Sequence, residues 1–99
     1  MLLDLSDVYL KDIDGKDVLE NNQKVNLGVI LAKIIYNSSE PDELKMAEIA
    51  RKLYENKKLE IDRSDLLKIE EFLPKSNLSV AVRAPIKEAI LKAKENSSL

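Results

Sequence analysis

Short alternations of apolar and polar residues occupy the first part of the chain, and longer helical stripes occupy the rest. The stretch "VYLKDIDGKDVL", Val8 to Leu19, alternates on both sides of Asp14-Gly15, a pair suited to a two-residue type I′ turn whose central residues both need positive φ. A hairpin centred there pairs Ile13 with Lys16, Lys11 with Val18 and Leu10 with Leu19. It also sets Asp12 opposite Asp17, and like charges across a ladder cost a few tenths of a kcal/mol. That pair marks a solvated edge. An isolated hairpin is marginal in water, so this one must lie on helices.

After the polar connector "ENNQKVN", Asn26 is suited to cap a helix over Leu27 to Tyr36, ended by Asn37-Ser38-Ser39. Leu27 to Ile35 is nine residues with Lys33 as their one charge. Leu27, Ile30, Leu31, Ile34 and Ile35 form a core face, and Val29 and Ala32 extend the apolar surface beyond it. Gly28 and Ala32, four apart, allow another element to come close. A helix apolar nearly all round is buried on more than one side. Either the rest of the chain covers it, or a second copy or a protein partner does, which makes Gly28, Val29 and Ala32 a candidate interface.

A second helix runs from about Pro41 to Asn56. Pro41 is preorganised for a first turn, with Asp42 and Glu43 at the positive end of the helix dipole. Met46, Ile49, Ala50 and Leu53 recur at i, i+3, i+4, i+7, with Ala47 and Tyr54 widening the stripe. In "NKKLEID", Leu59 and Ile61 alternate with polar residues and suit a short extended piece. Asp62 or Ser64 can cap a third helix, Asp65 to Leu73, which Pro74 stops. The last segment has two readings. Val82, Ile86, Ala89, Ile90 and Ala93 make one helical stripe, yet Pro85 inside it lacks an N–H. Either Leu78 to Arg83 is extended and a helix starts at Pro85, or one helix starts near Ser79 and kinks at Pro85. The β-branched Val80 and Val82 and the residue before proline favour the first. The expected fold is mainly α: one orthogonal or bundle-like domain of about four helices, with the hairpin at about 8–19 and fraying at about 95–99.

Composition narrows the function. Ninety-nine residues suffice for one domain, and 44% apolar with 34% charged residues is a globular balance. A net charge of −2 provides no field for nucleic acid or anionic lipid, so neither is an expected partner. The chain has no Cys and no His, which removes disulfides, thiolate metal sites and the commonest general base. "MLLDLSDVYL" has no basic region ahead of an apolar stretch, and no apolar run approaches the ~18 residues of a membrane span. A cytoplasmic address fits these features.

The candidate chemistry is sparse. Asp12, Asp14, Asp17 and Glu20 invite a calcium reading, but Gly15 comes too early after Asp12 for an EF-hand loop, and Gln23 stands where its last carboxylate belongs. A helix-turn-helix reading would place Asp42 and Glu43 against phosphates. Arg83, Lys87 and Lys94 share a helical face at i, i+4, i+11 and are a candidate anion contact, although cations there also complement the helix dipole. The serines lie mostly at expected caps and turns with no His to activate them. Gly15 and Gly28 are the only glycines, too few for a phosphate loop. No catalytic, metal or cofactor-binding residue is assigned, and an enzyme is not expected.

The order "DIDGK", polar gap, "NLGVILAKII", acidic link, "KMAEIARKLYENKKLEI", acidic cap, "LSVAVRAPIKEAI" resembles small uncharacterised proteins encoded by tailed phages and prophages, over about nine-tenths of the chain. The resemblance implies a noncatalytic protein-interaction role as a virion component or assembly factor, in the host cytoplasm or on the virion, with no functional residue carried over. The alternative is a small nucleic-acid-associated regulator.

Overall fold

Four helices carry the chain: α1 (Leu27–Tyr36), α2 (Glu43–Asn56), α3 (Arg63–Lys75) and α4 (Val80–Asn96). Short strands β1 (Leu2–Asp4), β2 (Leu19–Glu20), β3 (Gln23–Lys24) and β4 (Lys58–Glu60) flank them. The computed structural model describes residues 1–96. It is the expected mainly helical domain with β-hairpin structure near its N-terminus. Every buried side chain among the described residues is apolar, and Leu3, Leu5, Leu27, Leu31, Leu53, Leu66, Ile69, Ile86 and Ile90 are at or near zero exposure. No helix among them is long and apolar enough to cross a membrane.

The hairpin forms one residue out of the expected register. Lys11 bridges Asp17, and the Val18 N–H donates to the Leu10 carbonyl at 3.0 Å. The Gly15 N–H donates to Asp12 O at 3.0 Å and the Asp12 N–H to Lys16 O at 2.9 Å, with Gly15 at φ +83° and Asp14 not in the positive-φ region. This is a three-residue loop closed by a glycine bulge, in place of a type I′ turn. The shift replaces the Asp12–Asp17 clash with an ion pair, Lys11 Nζ to Asp17 at 3.1 Å. Asp12 instead accepts the Asp14 and Lys16 amides, each at 3.0 Å. The two-residue turn with both φ positive lies further on, at Asn21 (52°) and Asn22 (63°), joining β2 to β3. Asparagine tolerates that conformation, so the polar connector is a second hairpin.

β1 pairs antiparallel with β4, Leu3 opposite Leu59. "LLDLS" alternates, with Leu3 and Leu5 inward, but its partner lies more than fifty residues away in the sequence. The extended piece expected around Leu59 is β4.

The helix ends show where local rules hold. Asn26 caps α1 by accepting the Val29 N–H at 3.1 Å, and its Nδ2 donates to Leu5 O at 2.9 Å, tying the helix start to the N-terminal segment. Asp62 caps α3 by accepting the Asp65 N–H at 2.8 Å. Pro41, by contrast, lies outside α2, which starts after Asp42 in a left-handed conformation at φ 60° with no side-chain cap. Pro74 does not stop α3. It sits in the last turn, where it forfeits one hydrogen bond, and the buried Phe72 and Leu73 hold that turn while Ser76 N–H and Oγ satisfy their carbonyls at 2.6–3.2 Å.

α4 overturns the preferred reading of the C-terminal segment. It is helical from Val80 through Pro85 to Asn96, with Ser79 O accepting from Val82 and Arg83 at 3.1 and 2.9 Å. Ile86, Ala89, Ile90 and Ala93 are buried and Val82 packs against the core. Keeping all five on one stripe outweighs the β preference of Val80 and Val82 and the single N–H that Pro85 lacks. Of the fraying expected over 95–99, Glu95 and Asn96 are helical, and 97–99 lie outside the described residues.

Candidate functional site

Gly28 and Ala32 do not form a free surface. Ala32 is 2% exposed and Gly28 is buried, and a Cβ on Gly28 would meet Asn26 Oδ1 at 2.9 Å and Leu5 Cβ at 3.1 Å. The chain itself covers them, because small residues let α2 and the N-terminal segment approach closely. The core face of α1 is therefore rotated from the expected one. Ala32 joins it, while Ile34, assigned to the core, is 38% exposed. Val29 is half-buried. A depression of about 300 Å³ between α1 and α2 has Ala32 and Ala50 in its lining and Tyr36 and Tyr54 exposed beside them.

The cation face of α4 is divided. Lys87 and Lys94 donate to the two oxygens of Glu70 on α3 at 2.8 and 2.7 Å. These hydrogen bonds, that of Lys87 first, hold the Glu70 carboxyl below its ordinary pKa despite its partial burial. A side chain of the same chain thus occupies the position of the expected anion. Arg83 stands apart, half-buried, its Nε covered and without a hydrogen-bond acceptor among the described residues. Nothing in the spacing of α4 pointed to Glu70, which lies on another helix.

The acidic turn is also occupied internally. Asp12 holds the loop amides, and Asp17 contacts Lys11 and Lys24 at 3.1 and 3.5 Å. The Lys11 hydrogen bond is the main reason that the Asp17 carboxyl titrates below its usual value. No group of three or more candidate metal ligands gathers among the described residues. The hydroxyls of Ser38 and Ser76 donate to helix-end carbonyls, Ile35 O at 2.7 Å and Leu73 O at 2.6 Å.

A larger concavity lies elsewhere. A cleft of about 1180 Å³ runs between the N-terminal segment and the solvent flank of α4. One wall is β1 and the chain after it, including Leu2, Asp4 and Tyr9; the other includes Ala81, Ala84 and Glu88. Its volume lies just above the ~300–1,000 Å³ usual for small-molecule pockets, and its open, elongated form suits a segment of a macromolecule. The short side chains of α4 make the hollow, and exposed Leu2 (48%), Ile13 (102%) and Val80 (67%) border it. Four acidic residues line it, Asp4, Asp7, Asp12 and Glu88, against Lys11, Lys92 and the Met1 ammonium. Lys11 is already paired with Asp17 and the Met1 ammonium with Glu60, both outside the lining, so the lining is acidic. The Ser6 hydroxyl and then its amide bond to Asp4 and hold that carboxyl below its ordinary pKa.

Asp12 was singled out from sequence in the acidic turn, and Ala89 and Ala93 in the stripe of α4, but not as walls of one cleft. The available signal was alanine at 81 and 84 beyond the apolar stripe of α4, and the opposite wall comes from a strand whose place depends on β4.

No protein-family model, no curated protein and no solved structure matches the chain.

Proposed function

We propose that this chain is a noncatalytic protein-interaction module whose docking site is the cleft between β1 and α4. The observation that carries the reading is an open, elongated, apolar-floored and acid-rimmed concavity, in a domain whose buried side chains are all apolar among the described residues. An apolar centre with a polar rim is the general anatomy of a protein interface. The setting in phage or prophage virion assembly rests on the sequence resemblance alone. A nucleic-acid role is disfavoured by the acidic lining, which would repel phosphates.

The test compares the native chain with Ala84→Trp, which fills the cleft from an exposed position. Affinity purification from the native host should retain a polypeptide on the native chain and lose it on the variant, with equal melting temperatures. Equal retention by both proteins, or retardation of duplex DNA at low salt, would overturn the reading.

A further inference from the structure

The direction of the β1 hydrogen bonds specifies how the cleft could be filled. Met1 and Ile61 exchange both bonds, Met1 N to Ile61 O at 3.0 Å and Ile61 N to Met1 O at 2.9 Å. The Leu5 N–H donates to Lys57 O at 2.7 Å, four residues along. In an antiparallel ladder such pairs alternate with pairs that exchange no bond. With the register Leu2–Glu60, Leu3–Leu59, Asp4–Lys58, the odd positions of β1 therefore bond β4. The N–H and C=O groups of Leu2 and Asp4 point to the opposite edge. The sheet ends there, since β1 has β4 as its only strand neighbour among the described residues. No other backbone group among the described residues bonds Leu2 or Asp4. Both residues line the cleft, whereas no residue of β4 does, so of the sheet's two outer edges the one carried by β1 borders it.

We propose that the cleft receives an extended, basic segment of another protein, which adds to the free edge of β1 as a third strand. The proposal rests on the docking reading above and specifies its mode. Strand addition satisfies the main-chain groups of Leu2 and Asp4, and alternate side chains then face opposite sides. Apolar side chains on the side facing α4 meet its alanines, next to which Glu88 can pair with a basic residue at the end of that row. Basic side chains on the other side meet the carboxylates of Asp4 and Asp7. The far wall is long enough: α4 has 17 residues, about 25 Å. Charge selects this occupant over a second copy of the chain, because two β1 edges brought together would juxtapose two acidic rims.

The test uses an acetylated, amidated hexapeptide of alternating lysine and valine, and a lysine-rich amphipathic helical peptide of the same charge. Amide hydrogen exchange and amide chemical shifts of the protein are followed during titration. The hexapeptide should slow exchange at Leu2 and Asp4. N-methylation of its alternate residues should weaken binding about tenfold in one of the two frames only, the loss of a few main-chain hydrogen bonds. Glu88→Lys, at an exposed position, should weaken binding without altering the fold. If the helical peptide shifts α4 resonances while Leu2 and Asp4 exchange unchanged with either peptide, strand addition is overturned and the docking reading survives. Protection of both amides in the free protein that rises with protein concentration would assign the edge to a second copy and overturn the proposal. If neither peptide perturbs the cleft, the proposal and the docking reading fall together.

Discussion

α1 and α4 both join one core through an apolar stripe, yet one is wrapped by the chain and the other is left with an open flank. On α1, Gly28 and Ala32 are buried against neighbouring elements, and exposure is confined to a strip with Lys33, Ile34 and Tyr36. On α4, one stripe from Ile86 to Ala93 is buried, while Ala81 and Ala84 face solvent beside the cleft. Small residues thus do opposite things in the two helices. Where another backbone can reach them they permit close packing; where β1 ends as a sheet edge they leave a hollow. The neighbourhood of an alanine, more than its helix, decides its role.

The largest break in that contrast should come from placing the same charge on both helices. Ala32→Lys buries an ammonium without a partner and should cost about 3 kcal/mol or more, whereas Ala84→Lys should stay within about 0.5 kcal/mol of the native chain. Urea unfolding of the two variants measures the difference. Similar losses at both positions would mean that the α4 flank is packed like α1.

A smaller effect, of opposite sign in the two helices, is expected from alanine. Pro85→Ala restores a donor at the sixth position of α4 and should stabilise by about 1 kcal/mol. Gly28→Ala would gain about that much in an open helix, but its Cβ at 2.9 Å from Asn26 Oδ1 displaces the cap that holds the Val29 N–H. A net loss of about 1 kcal/mol is expected, because the cap alone contributes about that amount and Leu5 must shift as well. Paired thermal melts read both signs. A gain at Gly28 would show that the approach of Leu5 is loose.

The smallest effect sharpens how α4 is held to α3. Glu70 titrates below its ordinary value in the folded chain, through Lys87 and then Lys94. Its contribution is complete above the ordinary carboxylate range and fades as pH falls through the lowered folded value. Glu70→Gln should therefore cost under about 1 kcal/mol near neutral pH, since both lysines are partly exposed, and the two proteins should converge in acid. Melts across that range check it, and a gap that widens in acid would contradict the pairing.

Much of the helical part was legible. The bounds of α1, the caps Asn26 and Asp62 and the buried set Met46, Ile49, Ala50 and Leu53 follow from spacing and side-chain type within a turn or two. The cleft was not legible, because its walls come from opposite ends of the chain. Arg83, Lys87 and Lys94 were legible as a face of α4 but not as partners of Glu70, for the same reason.

What the sequence by itself determined is the set of local periods: which residues want one side of a helix, where a cap can stop it, and where glycine or asparagine lets the chain reverse. Such preferences are written within a few residues, so they survive without knowledge of neighbours. Only the tertiary structure decided the competitions that amount to about a hydrogen bond or less. Hairpin register shifted by one residue because Lys11 opposite Asp17 is better than Asp12 there. α4 continued through Pro85 because burying its stripe outweighed one missing N–H. The pairing of β1 with β4, which creates both the core position of Leu3 and the free edge at the cleft, depends on two segments finding each other across most of the chain.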